Sequence, residues 1–177
     1  VIGVTDLKNA KLMGGIGAIL TFVGVGFVGF ILKLLAVKNI AEATGREEIF
    51  SKYLWAAILG ILASLVFVAS WWGAITGMGV HGSPRIGLGM MGVGGLLAAI
   101  LMIVGAWFMK QSYDMISEET GVGTFHTAAL LYIIGAILMI VVIGAFLILI
   151  AAILEIIAFF SLPDKLEKPG EEPLPVA

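Results

Sequence analysis

The chain has no cysteine, few charges and no marked excess of either sign. Absence of cysteine among the 177 residues excludes disulfides, thiolate metal sites and cysteine nucleophiles, and leaves the redox compartment open. Charged residues make up 12% of the chain against about 25% in soluble domains, and the formal net charge is −2. Without a basic block to neutralise phosphates, nucleic acid is not an expected partner. Motifs that carry catalysis are missing as well: there is no Ser-His-Asp pattern, HExxH or P-loop, and no paired carboxylates sit within an apolar run. No catalytic residue and no cofactor is therefore expected.

What fills the chain instead is hydrophobic residues, 60% of the total, gathered in four long uncharged stretches. A helix rising about 1.5 Å per residue needs about 20 apolar residues to cross a hydrocarbon core of about 30 Å, and each stretch reaches that length. In lipid every backbone polar group must be satisfied within its own segment, which runs lacking period-2 alternation achieve only as helices. The expected fold is all-α: an integral membrane four-helix bundle built from two transmembrane helical hairpins that extend beyond the bilayer on one side. Spans are expected at about 12–37, 53–77, 86–110 and 127–154 within a domain covering 1–163, followed by a polar, Pro/Glu-rich tail over 164–177. The segment from Leu12 onward reads as a retained first span rather than a cleaved signal.

Gly45 is a natural helix stop, and Glu47 and Glu48 suit the first turn of the helix that follows. Thr120, Gly121 and Gly123 repeat that turn grammar later. Aligning Phe50 with Phe125 also aligns Gly60 with Gly135, a pattern that fits either a degenerate internal repeat or the ease with which low-complexity sequence matches itself. Tyr53 and Trp55 at one end of the second span and Trp71 and Trp72 at the other suit two interfacial belts. The last apolar stretch runs on to Leu162 and is too long for a perpendicular span, so it must tilt, bend near Gly144 or extend into the interface. Threading four antiparallel spans leaves five Lys/Arg on each side, so the positive-inside rule is silent.

Small residues four apart, such as Gly14 with Ala18, Gly94 with Ala98 and Gly95 with Ala99, let helix backbones approach closely in lipid; Gly14, Gly17, Gly94 and Gly95 are the expected packing glycines. Two GxGxxG matches, Gly77 to Gly82 and Gly87 to Gly92, lack the strand and the acidic residue that a dinucleotide site requires, and read as helix-packing glycines. Met78, His81, Met90 and Met91 suggest a soft-metal site, but Met is equally a filler of irregular gaps and no metal is expected. Lys33 and Glu155 are the candidate membrane-embedded charges. Intramembrane ionisable groups are functional candidates by default, but antiparallel threading puts these two at opposite sides and predicts that they do not pair.

Several segments in order carry a family resemblance: Lys8-Asn9-Ala10-Lys11 before Gly14-Gly15-Ile16-Gly17, Ala36-Val37-Lys38 through Ile49-Phe50, Thr120-Gly121-Val122 through Tyr132 to Ala136, and Ile153 through Glu155 to Phe159-Phe160-Ser161-Leu162-Pro163. With these the chain resembles a family of small archaeal multi-span membrane proteins known only as a domain of unknown function, DUF996. The resemblance implies an archaeal cell-membrane protein with no activity to carry over. The expected role is a non-catalytic accessory or structural subunit of a membrane complex, or a homo-oligomer, contacting lipids and other membrane subunits or copies of itself. The alternative is an oligomeric channel or transporter for a small ion or solute.

Overall fold

A computed structural model describes residues 6–79, 84–138 and 143–166. Among them the chain forms six helices: α1 (Lys8–Phe22), α2 (Gly26–Thr44), α3 (Glu47–Gly79), α4 (Pro84–Thr120), α5 (Thr124–Leu138) and α6 (Ile143–Phe160). The all-α expectation holds, whereas the four-helix count does not, because the first and last expected spans are each two helices.

The first span, expected as one helix over 12–37, breaks at Val23. Gly24 takes φ +93°, which a β-carbon would disfavour, and the Val25 amide donates to the Leu20 carbonyl at 2.9 Å. That six-residue closure around a left-handed glycine is a Schellman stop. With α1 ended, α2 folds back along it, and the two touch through Gly17 and Gly29: a β-carbon on Gly17 would lie 2.7 Å from the Gly29 carbonyl oxygen. Gly45 repeats the device at the end of α2, with φ +70° and the Arg46 amide donating to the Ala41 carbonyl at 3.1 Å.

In the last span the expected bend near Gly144 is a full reversal. The glycines Gly135 of α5 and Gly144 of α6 meet, a β-carbon on Gly135 standing 3.1 Å from the Gly144 carbonyl oxygen, and Phe125 meets Phe159 at the other end of the pair. Helices α5 and α6 are therefore antiparallel neighbours. The suggested repeat between Gly60 and Gly135 finds no shared environment, since a β-carbon on Gly60 would meet no atom within 4 Å.

Lengths separate the helices into two groups. At about 1.5 Å per residue, α1 and α5 are about 22 Å long, α2 and α6 about 28 Å, and α3 and α4 more than about 49 Å. Among the described residues only α3 and α4 are both long and apolar enough to cross a membrane, and just 6% and 17% of their most apolar windows are buried. Core helices of a water-soluble domain would be mostly covered; these present Leu65, Phe67, Trp72, Leu88, Val93 and Leu96 outward.

Because each short pair turns back, the start of α1, the segment after α6 and the turns after α2 and α4 gather at one end of the molecule. There the Leu7 amide donates to the Asp164 carbonyl at 3.0 Å, Lys11 pairs with Asp164 at 3.2 Å, and Arg46 bridges to Glu119 at 2.9 Å and Glu118 at 3.3 Å. The buried core lies at this end too, joining Leu7, Ile40, Ile49, Tyr113, Phe125, Phe159 and Leu162. Lys8, Lys11, Lys38, Arg46, Lys52, Lys110 and Lys165 all belong to this end, and Arg85 to the other. The even split of charge expected from four spans is overturned by the two reversals. Most of the expected tail, residues 167–177, lies outside the described residues, as do Val80, His81 and Gly82 of the first glycine motif and the metal reading.

A buried lysine–glutamate centre

Glu155 lies on α6 five residues before its end, at the level where five helices converge. Its carboxylate is 2% exposed and is enclosed by donors from three other helices. Lys33 of α2 donates from Nζ to Oε1 at 3.1 Å and to Oε2 at 3.4 Å, Tyr132 of α5 donates to Oε2 at 2.8 Å, and the Tyr113 hydroxyl of α4 donates to Oε1. The expectation that Lys33 and Glu155 stay apart is therefore wrong, and the cause is topological: the turn at Gly24 and the α5–α6 reversal bring both to the charged end. Glu155 reaches neither Lys8 nor Lys11, the latter being held by Asp164.

Removing two charges from water costs several kcal/mol per ion, which the pair offsets only if its remaining hydrogen-bonding capacity is filled. Here both carboxylate oxygens are filled, and no buried side-chain nitrogen or oxygen among the described residues lacks a partner. The aromatic residues around the pair fix the geometry. Tyr53 of α3 stacks on Tyr113 with ring centroids 5.9 Å apart, and Tyr113, Phe125 and Phe159 meet edge to face at 5.0–6.5 Å. Such contacts hold Tyr113 so that its hydroxyl meets the carboxylate. Tyr53, expected as an interfacial belt residue, is buried in this centre; Trp55, Trp71 and Trp72 are exposed.

The packing glycines are distributed among three helix pairs. Gly14 of α1 faces Phe159, whose ring occupies the place a β-carbon would take; Gly17 faces Gly29; and Gly94 of α4 faces Ser70 of α3. Gly95 has no atom within 4 Å of its would-be β-carbon, so it makes no close approach. Sequence reasoning missed Gly29, Gly135, Tyr113 and Tyr132. The signal for the first was present in Val23-Gly24-Val25-Gly26, two alternating glycines followed by Gly29 inside what read as a continuous span.

Beside the centre, the α3–α4 pair and the four shorter helices enclose a cavity of about 810 Å³, headed by Lys33, Tyr53, Tyr132 and Glu155 and otherwise walled mainly by apolar side chains. The hydroxyls of Thr21 and Ser64 also line it. Among the described residues no three His, Cys, Asp or Glu side chains come together as metal ligands.

Three antiparallel helix pairs pinned at one end by a buried lysine–glutamate centre, with one pair long and apolar enough to cross a membrane, define the class of protein. The chain belongs to the DUF996 family of unknown function, whose family model matches residues 25–153. It is similar to the uncharacterized protein MJ1644 of Methanocaldococcus jannaschii, at 40% identity over 172 residues covering 92% of this chain and 96% of that protein. The resemblance carried by the sequence segments is thus borne out, and the relative is archaeal. No solved structure matches the chain.

Proposed function

We propose that the protein is a non-catalytic integral membrane component of the archaeal cell membrane. Helices α3 and α4 cross the bilayer, and the pairs α1–α2 and α5–α6 enter it from one face without crossing. The observation that carries this reading is the joint placement of the charges: one end holds nearly all the described Lys and Arg, and beyond it run two bare apolar helices. By the positive-inside rule, the charged end faces the cytoplasm. A non-catalytic role is supported by the self-contained state of Glu155, whose oxygens are engaged by Lys33, Tyr113 and Tyr132 and offer no free base. Away from the charged end α3 and α4 pack on each other, Gly94 against Ser70 and Gly87 against Ala74, and expose Phe67, Trp71 and Trp72, an area suited to a second membrane subunit or a second copy.

Purification from native membranes in mild detergent, with native mass determination of everything that co-migrates, tests the reading. A foreign subunit in fixed ratio supports an accessory role, and a single-species oligomer supports self-assembly. A monomer without partners overturns both.

A second reading, an oligomeric channel or transporter, is favoured by one observation: an ion pair lining a cavity is the usual mark of a transport path. Solute or proton flux in vesicles that disappears in Glu155→Gln would support it. Flux absent from the wild-type chain would remove it.

A further inference from the structure

Small residues on facing membrane helices normally bring backbones into contact. Between α3 and α4 they do, since a β-carbon on Gly105 would lie 3.4 Å from the Ala56 carbonyl oxygen and 3.8 Å from the Gly60 amide nitrogen. Across the cavity from that contact they do not. Ala57 and Gly60 of α3, Ala136 of α5 and Ala152 of α6 all line it, yet a β-carbon at Gly60 would meet no atom within 4 Å. There the α3–α4 pair and the shorter helices face each other with small side chains and stand apart, leaving about 810 Å³, within the range of about 300–1,000 Å³ typical of small-molecule sites.

The two ends of this space differ in chemistry. At the end beside the charged face, the Lys33 ammonium has three N–H groups and directs its bonds only to the two Glu155 oxygens. Tyr53, 4% exposed, also lines this end, and its hydroxyl is not among the donors that close around Glu155. Donor capacity is therefore left over from the carboxylate's own shell. At the other end the lining residues Phe22, Ile61, Leu65 and Leu149 are exposed on the outer surface, so the cavity opens sideways among apolar side chains. From Tyr53 to Leu65 the path along α3 covers about 18 Å.

We propose that this cavity binds one uncharged, lipid-like amphiphile that enters sideways from the bilayer. Its head, a hydroxyl, ester or quinone carbonyl, accepts hydrogen bonds from Lys33 and Tyr53, and its single apolar tail lies along α3 toward Leu65. Charge selects the class. Lys33 and Glu155 cancel, so a neutral head leaves the balance intact, whereas an ionised head would be buried without a counter-ion of its own. The proposal rests on the membrane-inserted reading above.

The test uses the full chain in phosphatidylcholine vesicles with a long-chain alcohol carrying a photoactivatable diazirine in its tail. Crosslinked peptides are mapped by mass spectrometry against rising concentrations of unlabelled alcohol. The expected result is saturable, competed labelling of cavity residues such as Ala57 and Ala152. Gly60→Leu fills the open space and favours the helix, and should lower labelling by about tenfold or more, in line with the discrimination a pocket exerts over one misplaced side chain. Gly95→Leu, equally open but away from the cavity, should leave labelling unchanged. Non-saturable labelling spread over Val93 and Leu96 and indifferent to Gly60→Leu overturns the proposal. Flotation of the same vesicles on a density gradient reports insertion separately. Floated protein without competed labelling overturns the ligand site alone, and protein that does not float overturns the membrane reading with it.

Discussion

Gly17 and Gly29 face each other across the first helix pair with no room between them. A β-carbon on Gly29 would stand 2.5 Å from the Gly17 carbonyl oxygen, and one on Gly17 would stand 2.7 Å from the Gly29 carbonyl oxygen. Backbone cannot yield as a side chain can, so Gly29→Ala must push α1 from α2. The expected loss is about 1–3 kcal/mol, as for overpacked cores. Thermal unfolding in detergent, followed by circular dichroism, measures it. Gly95→Ala, at an open position in α4, serves as the contrast and should be neutral or stabilising by up to about 1 kcal/mol through helix propensity.

The lysine–glutamate centre predicts a strongly non-additive mutant cycle. Lys33→Met and Glu155→Gln each leave the other charge buried without its partner, and each should cost about 3–5 kcal/mol. The double variant leaves no uncompensated charge and should lose clearly less than the two costs combined. Tyr132→Phe removes a single hydrogen bond to the carboxylate, worth about 1.5–3 kcal/mol. Denaturant titration of the wild type and the four variants decides this; additive losses from Lys33→Met and Glu155→Gln would mean the pair does not act as a unit.

Removal of the Phe159 ring should be as costly as loss of a charge partner. The ring is fully buried, packs edge to face on Tyr113 and Phe125, and fills the space left by Gly14. Phe159→Ala should cost about 3–5 kcal/mol, by loss of burial and the cavity it opens. A shift in unfolding midpoint below that of Phe67→Ala, an exposed position on α3, would contradict the packing described.

Natural absence of cysteine makes the topology directly measurable. Single substitutions Glu48→Cys, Ser161→Cys and Lys165→Cys place thiols at the charged end, and Arg85→Cys places one at the far end. A membrane-impermeant maleimide applied to sealed vesicles should label the first three from one side and Arg85→Cys from the other. Threading as four simple spans predicts instead that Glu48→Cys and Lys165→Cys label from opposite sides.

Helical character, the stops at Gly45 and Gly121 and the place of Lys33 and Glu155 as charges within apolar surroundings were legible from the sequence. Helix composition and left-handed glycines are local properties. The two reversals were harder, since Gly24 sits within an unbroken apolar run and nothing polar marks it as a turn. Excess length was the readable clue in the last span, where Thr127 to Leu162 exceeds one crossing. Once both reversals are missed, every inference about sides fails together, which is why Lys33 and Glu155 were placed apart. Tyr113 and Tyr132 were invisible for another reason: Tyr132 within an apolar run and Tyr113 between Ser112 and Asp114 look the same whether the hydroxyl meets a carboxylate or the interface.

The separation of Lys33 from its carboxylate by 122 residues sets a problem of timing. At about 5–20 residues per second, synthesis delivers Glu155 roughly 6–24 s after Lys33. During that interval the ammonium has no buried partner and its cheapest position is at the water boundary. In the membrane-inserted reading proposed above, the α1–α2 pair would be held shallow while α3 and α4 insert, and would sink to its final depth only when α6 emerges. Assembly would run from the middle of the chain outward, with the first helices made among the last to settle.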